Sequence, residues 1–133
     1  MSLYTFPKEQ RLTLKKDIEA LFRIGKSFNS GPLRVIYTIN PANTCGLKVL
    51  ITSSKKKFRN AADRNRIKRL IREAFRLNRT KWIPDSLFSD LIVHAVFIFS
   101  GESSAIPYAT VENLVVESLK KLAQEIKSAG TTG

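Results

Sequence analysis

The 133 residues suffice for one domain around one hydrophobic core, and an apolar share of 43% argues against wholesale disorder. Lys and Arg number 23 against 11 Asp and Glu, and the resulting +12 attracts polyanions without naming one. One cysteine (Cys45) and one histidine (His94) exclude an intramolecular disulfide and a thiolate metal set. They also leave almost nothing for Ser-His-Asp or Cys-His catalysis. The opening Met1-Ser2-Leu3-Tyr4-Thr5 lacks the basic and apolar stretches of a signal peptide, and no apolar run reaches bilayer length, so a soluble cytoplasmic protein is expected.

In chain order, Thr13 to Ile24 reads as a helix. Thr13 can cap it, Leu14, Ile18, Leu21 and Phe22 recur at helical spacing, and Gly25 stops it. Leu33 to Asn40 is rich in β-branched and aromatic residues. The turn signal Asn40-Pro41-Ala42-Asn43 follows, and a second strand spans about Gly46 to Ser53. The two strands predict an antiparallel hairpin. Leu91 to Phe99 (LIVHAVFIF) is nearly all apolar, as in a strand covered on both faces. A helix over about Tyr108 to Lys127 carries a stripe of Val111, Leu114, Val115, Leu119, Leu122 and Ile126. Residues 1–127 thus form a single domain, and 128–133 are expected to be a flexible tail.

Between the second strand and the apolar one, Lys55 to Lys81 holds 12 basic residues against Asp63 and Glu73. At about 100° per residue, a helix from about Ala61 to Lys81 sorts into two faces. Ile67, Leu70, Ile71, Ala74 and Leu77 form an apolar stripe with Phe75 at its edge; Asn65, Lys68, Arg69, Arg72, Arg76 and Arg79 fall opposite. Such a helix can dock on a sheet while presenting guanidinium groups, whose planar forks grip phosphate oxygens in pairs. With so few acids, pairing within the helix cannot balance the charge, and an anionic partner is implied. Trp82 is expected to cover the helix end, and His94 to be a structural histidine of an apolar strand.

The run Arg64-Asn65-Arg66-Ile67-Lys68-Arg69-Leu70-Ile71-Arg72-Glu73-Ala74-Phe75 resembles the RNR signature of bacterial ribonuclease P proteins. Lys56, Lys57 and Asn60 fall at matching distances upstream. Phe6-Pro7-Lys8, Leu12, Asp17, Leu21-Phe22 and Gly25 match the front of that family, so the resemblance covers most of residues 6 to 78. It implies an α/β (α+β) sandwich with a mixed four-stranded sheet and three helices in the order αβββαβα. A short extra strand would lie near Ser27 to Ser30, and the basic helix would cross between parallel strands in a left-handed sense.

By the same resemblance, the partners are ribonuclease P RNA and precursor tRNA, with no membrane and no required protein partner. The RNA subunit, with bound magnesium, hydrolyses the phosphodiester, so this chain carries no catalytic residue and no metal ligand. RNA-subunit contacts fall on Lys56, Lys57, Asn60, Arg64, Asn65, Arg66, Lys68, Arg69, Arg72 and Arg76. The 5′ leader would lie in a cleft between the first helix and the sheet, where Ile18, Phe22 and Tyr37 occupy positions that are commonly aromatic in the family. Ile18 supplies an apolar wall without a π surface. Phe22 is equally compatible with core packing, whereas Tyr37 reads as a surface platform because its hydroxyl needs water or a partner.

Three rival functions share some of these features. A general RNA-binding or ribosome-associated protein has the same charge and mixed build. A DNA-binding regulator needs a helix-turn-helix partner or dimer seam, which the strand after the basic helix argues against. A nuclease acting alone needs a carboxylate or base–nucleophile set that the sequence does not offer.

Overall fold

A computed structural model describes residues 15–42, 46–53, 61–88, 90–100 and 106–131. The elements are α1 (Lys15–Ile24), β1 (Lys26–Ser30), β2 (Leu33–Pro41), β3 (Gly46–Ser53), α2 (Ala61–Trp82), a 3-10 turn (Asp85–Phe88), β4 (Leu91–Phe99) and α3 (Tyr108–Thr131). Element order and class agree with the expected sandwich. α3 runs through Thr131, so helix occupies most of the stretch expected to be a tail.

The sheet order is β1-β2-β4-β3. This corrects the expected hairpin: β2 and β3 are not neighbours, because β4 lies between them. β4 pairs antiparallel with β2, as in Tyr37 opposite Ala95, and parallel with β3, as in Val49 opposite Ala95. β4 is the most apolar strand, and the centre of the sheet is where both ladders and both faces can be covered. A local turn signal such as Asn40-Pro41 cannot register a strand that arrives fifty residues later. α2 connects the parallel pair β3 and β4.

Alternation along the strands assigns the two faces. Leu33, Val35 and Tyr37 of β2, Leu47, Val49 and Ile51 of β3, and Val93, Ala95, Phe97 and Phe99 of β4 share one core with α2 and α3. Phe75 of α2 meets Phe97 edge-on, with ring centroids 5.9 Å apart, and α3 contributes Val111, Val115, Leu119, Leu122 and Ile126. Among the described residues, the opposite face is covered at its centre, where Leu21 of α1 sits on Ile36 and Val96. Ile92, His94 and Ile98 remain half-buried, so β4 is sealed on one face and partly open on the other, not covered on both.

Gly25 permits this docking. Its N–H closes α1 on the Leu21 carbonyl at 2.9 Å. A Cβ there would come within 2.4 Å of that oxygen and 2.7 Å of Ile36 Cγ2, so any side chain would push the helix end off β2.

Candidate nucleic-acid interface

α2 buries Ile67, Ile71, Ala74 and Phe75, and this row sets which way the rest of the helix faces. Leu70 is half-buried and Leu77 is 51% exposed, so the apolar stripe is rotated toward Phe75 relative to the expected one. The rotation places Asn65, Arg69 and Arg72 fully outward, with Lys68 half-buried at their margin. Arg76 lies on the same side, yet its side chain is only 13% exposed and is ion-paired with Glu73 one turn back.

Arg79 departs from the expected ridge altogether. It is buried, donates to Asp85 Oδ1 at 2.8 Å, and stacks over Phe88 at 5.6 Å. The 3-10 turn folds back over the helix end and captures it, a contact invisible to a helical wheel. Arg64 and Arg66 are half-buried; Arg66 donates to the Ile106 carbonyl at 3.1 Å and so ties α2 to the approach of α3. Asn78 bridges the same helices, reaching the Ala74 carbonyl at 2.9 Å and Glu112 at 3.0 Å. Glu112 also accepts from the Tyr108 hydroxyl at 3.1 Å; burial first, and this carboxylate second, push the Tyr108 phenol up to about 12. Lys56, Lys57 and Asn60 lie outside the described residues.

The open face of the sheet forms the second part of the site. Ile18 packs beside Leu21 against the sheet, and Phe22 is 55% exposed, which decides against core packing for that ring. In register, Arg34 of β2 and Thr52 of β3 flank Ile98 of β4 along one side of α1; Thr38 and Lys48 flank His94 along the other. The charge of Asp17 acts on His94, and Phe22 stands about 140° from Asp17 around the helix, on the opposite flank of Leu21. Burial holds the His94 imidazole below its ordinary value; Asp17 opposes that shift and Lys48 adds to it. The single polar residue among Ile92, His94, Val96 and Ile98 was the sequence signal that this face is half open. Arg34 and Thr52 carry no such signal; only their register beside Ile98 identifies them.

Tyr37 is not a surface platform. It is 6% exposed, belongs to the core on the α2 and α3 side, lies 5.8 Å from the Phe28 ring, and hydrogen-bonds Glu125. Burial, followed by the Glu125 charge, pushes its phenol up to about 12. Its edge reaches a cavity of about 450 Å³ shared with Ile24, Lys26, Asn40 and Glu125. Its position at an odd step of β2 puts it through the sheet from Ile18 and Phe22, and the structure does not bring these three residues together.

Among the described residues no group of three His, Cys, Asp or Glu converges as a metal site. None of their helices is long and apolar enough to cross a membrane. What converges instead is guanidinium on α2 and a half-open, mixed apolar and basic strip beside α1.

Comparison with known proteins points to one family. Residues 6–123 match the profile of the family described as Ribonuclease P. The ribonuclease P protein component of Porphyromonas gingivalis (strain ATCC 33277) is 36% identical over 124 residues, covering 92% of this chain and 89% of the relative. That of Clostridium botulinum (strain Loch Maree) is 35% identical, covering 86% and 95%. The solved RNase P protein from Thermotoga maritima superposes with a TM-score of 0.64 at 26% identity, covering 84% of this chain and 96% of that one. With the match spanning nearly the whole domain, and the fold shared as well as the sequence, the chain belongs to the bacterial ribonuclease P protein family.

Proposed function

We propose that the chain is the protein subunit of a ribonuclease P in which an RNA subunit performs the cleavage. In this reading the outward row Asn65, Lys68, Arg69 and Arg72 docks on that RNA, supported by Arg76 and by the upstream Lys56, Lys57 and Asn60. Family membership together with the outward direction of that row carries the proposal. Helical phasing turns Asn65, Arg69 and Arg72 into solvent, with Lys68 at their margin, because Ile67, Ile71 and Phe75 are committed to the core. Guanidinium groups held side by side displace condensed counterions from RNA, which favours binding and makes it salt-dependent.

The leader of precursor tRNA then lies beside α1, over Phe22 and the Arg34–Ile98–Thr52 row. Single-stranded RNA exposes base faces, so Phe22 offers a sequence-tolerant stacking surface, with Ile18 as an apolar wall and Arg34 for the backbone. Tyr37 supports β2 from beneath and does not stack on the leader.

The chain orients and holds substrate, and it supplies neither nucleophile nor base. In this reading magnesium is bound mainly by the RNA subunit. The product would be tRNA with a 5′ phosphate, formed in the cytoplasm. Adding the purified chain to its cognate RNA subunit at low magnesium should stimulate leader removal. Cleavage by the chain without any RNA subunit would overturn the reading.

A further inference from the structure

We propose that the C-terminal end of α2 and the adjoining face of α3 form a second phosphate-contact site for the ribonuclease P RNA, built from Lys81 and Lys120 on the Trp82 ring. It rests on the RNA-subunit reading above but uses none of the residues assigned there.

Trp82 is the last residue of α2 and is half-buried. Lys81 Nζ lies 5.2 Å and Lys120 Nζ 4.6 Å from its ring centroid, both within the distance at which a cation is attracted to a π face. The indole N–H is buried and finds no acceptor among the described residues, so the ring is held by packing and by these cations. Beside it lies a concavity of about 340 Å³ lined by Trp82, Glu117, Lys120, Lys121, Gln124 and Lys127. Glu117 is the single acid in that lining. Lys121 is fixed at its rim, donating to the Asn29 carbonyl at 2.7 Å and lying over the Phe28 ring at 5.9 Å.

Neither Lys81 nor Lys120 has a carboxylate partner within ion-pair distance among the described residues. Their distances to one ring bring the two ammonium groups within about 10 Å of each other, close to the Debye length of about 8 Å at physiological salt. An anion beside the ring therefore feels both charges. The aromatic contacts hold the long stems in place beforehand, which lowers the ordering cost of binding. The ring surface is taken by cations, so the chemistry suits a phosphodiester better than a stacked base. Charge complementarity to the C-terminal end of the α2 dipole explains one lysine there. It does not explain two converging on one ring beside a basic concavity.

Placement selects the RNA subunit over the leader. α2 and α3 cover the same face of the sheet, and the leader strip is on the other. Lys81 stands about 150° around α2 from the middle of the Arg69–Arg72 row, so a different segment of the folded RNA must reach it.

The test is binding of the full chain to its RNA subunit across a salt series. Lys81→Gln with Lys120→Gln keeps apolar stems on the ring and removes both charges. This pair should lower the slope of log affinity on log salt by about one to two and weaken binding by roughly five- to thirtyfold. Combined with Arg69→Ala and Arg72→Ala, the losses should multiply, as for independent sites. Lys81→Arg with Lys120→Arg should retain wild-type binding. Unchanged slope and affinity in the Gln pair, with the Arg69/Arg72 pair impaired, overturns this inference alone. Silence in both pairs overturns the RNA-subunit reading with it. A loss confined to precursor-tRNA binding by the assembled holoenzyme, or an equal loss in the Arg pair, also overturns it.

Discussion

Replacing Arg69 and Arg72 together with Ala should weaken RNA-subunit binding by about thirtyfold at physiological salt. The number follows from exposure and counterion release. Both side chains stand free of the core on the outer face of α2, so each can neutralise one phosphate. Each such contact contributes about 0.9 to the slope of log affinity on log salt, which near 0.15 M amounts to roughly fivefold per contact. Arg76→Ala should lose less than fivefold, because that guanidinium is largely covered and already paired with Glu73. The assay is equilibrium binding of the purified chain to its RNA subunit over a salt series, with thermal melts to establish that the variants fold. If the double variant keeps the wild-type slope, or if Arg76→Ala alone costs more than the double variant, the assignment of the outward row is wrong.

Ile71→Ala, at a fully buried position, should cost about 2–5 kcal/mol, whereas half-buried Leu70→Ala should cost clearly less; paired melts check the order. Phe22→Ala should weaken holoenzyme binding of leader-bearing precursor tRNA by about 1–3 kcal/mol and spare mature tRNA, and equal losses on both ligands would remove Phe22 from the leader path. Tyr37→Ala, by contrast, should lower the melting temperature, because it empties a core position and strands Glu125 without its partner. His94 has a folded-state pKa below the ordinary 6.5, so the unfolded chain binds its proton more tightly. Its contribution is complete above that value and declines as pH falls toward the folded one. Melting temperatures should therefore drop on acidification below about pH 6.5, less in His94→Leu and more in Asp17→Asn.

The sequence by itself determined the three long helices, three of the four strands and the clustering of positive charge on one of those helices. A 3.6-residue period and an apolar run are local properties, so α2 and β4 were legible to within a residue or two. The RNR run likewise pointed to its family without coordinates, and Asn65, Arg69 and Arg72 face outward as their spacing requires. Tertiary structure decided everything that depends on what packs against what. β4 displaced β2 from β3 because the most apolar strand takes the centre of the sheet, a competition settled between segments far apart in sequence. Arg79 was withdrawn from the ridge by a carboxylate six residues on, and Leu77 was left outside because Phe75 claimed the core. Tyr37 and Phe22 look alike as aromatic positions near α1, yet strand alternation sends Tyr37 inward and helix phase sends Phe22 outward. A side chain's direction is fixed only when its element docks, and docking is a property of the whole core.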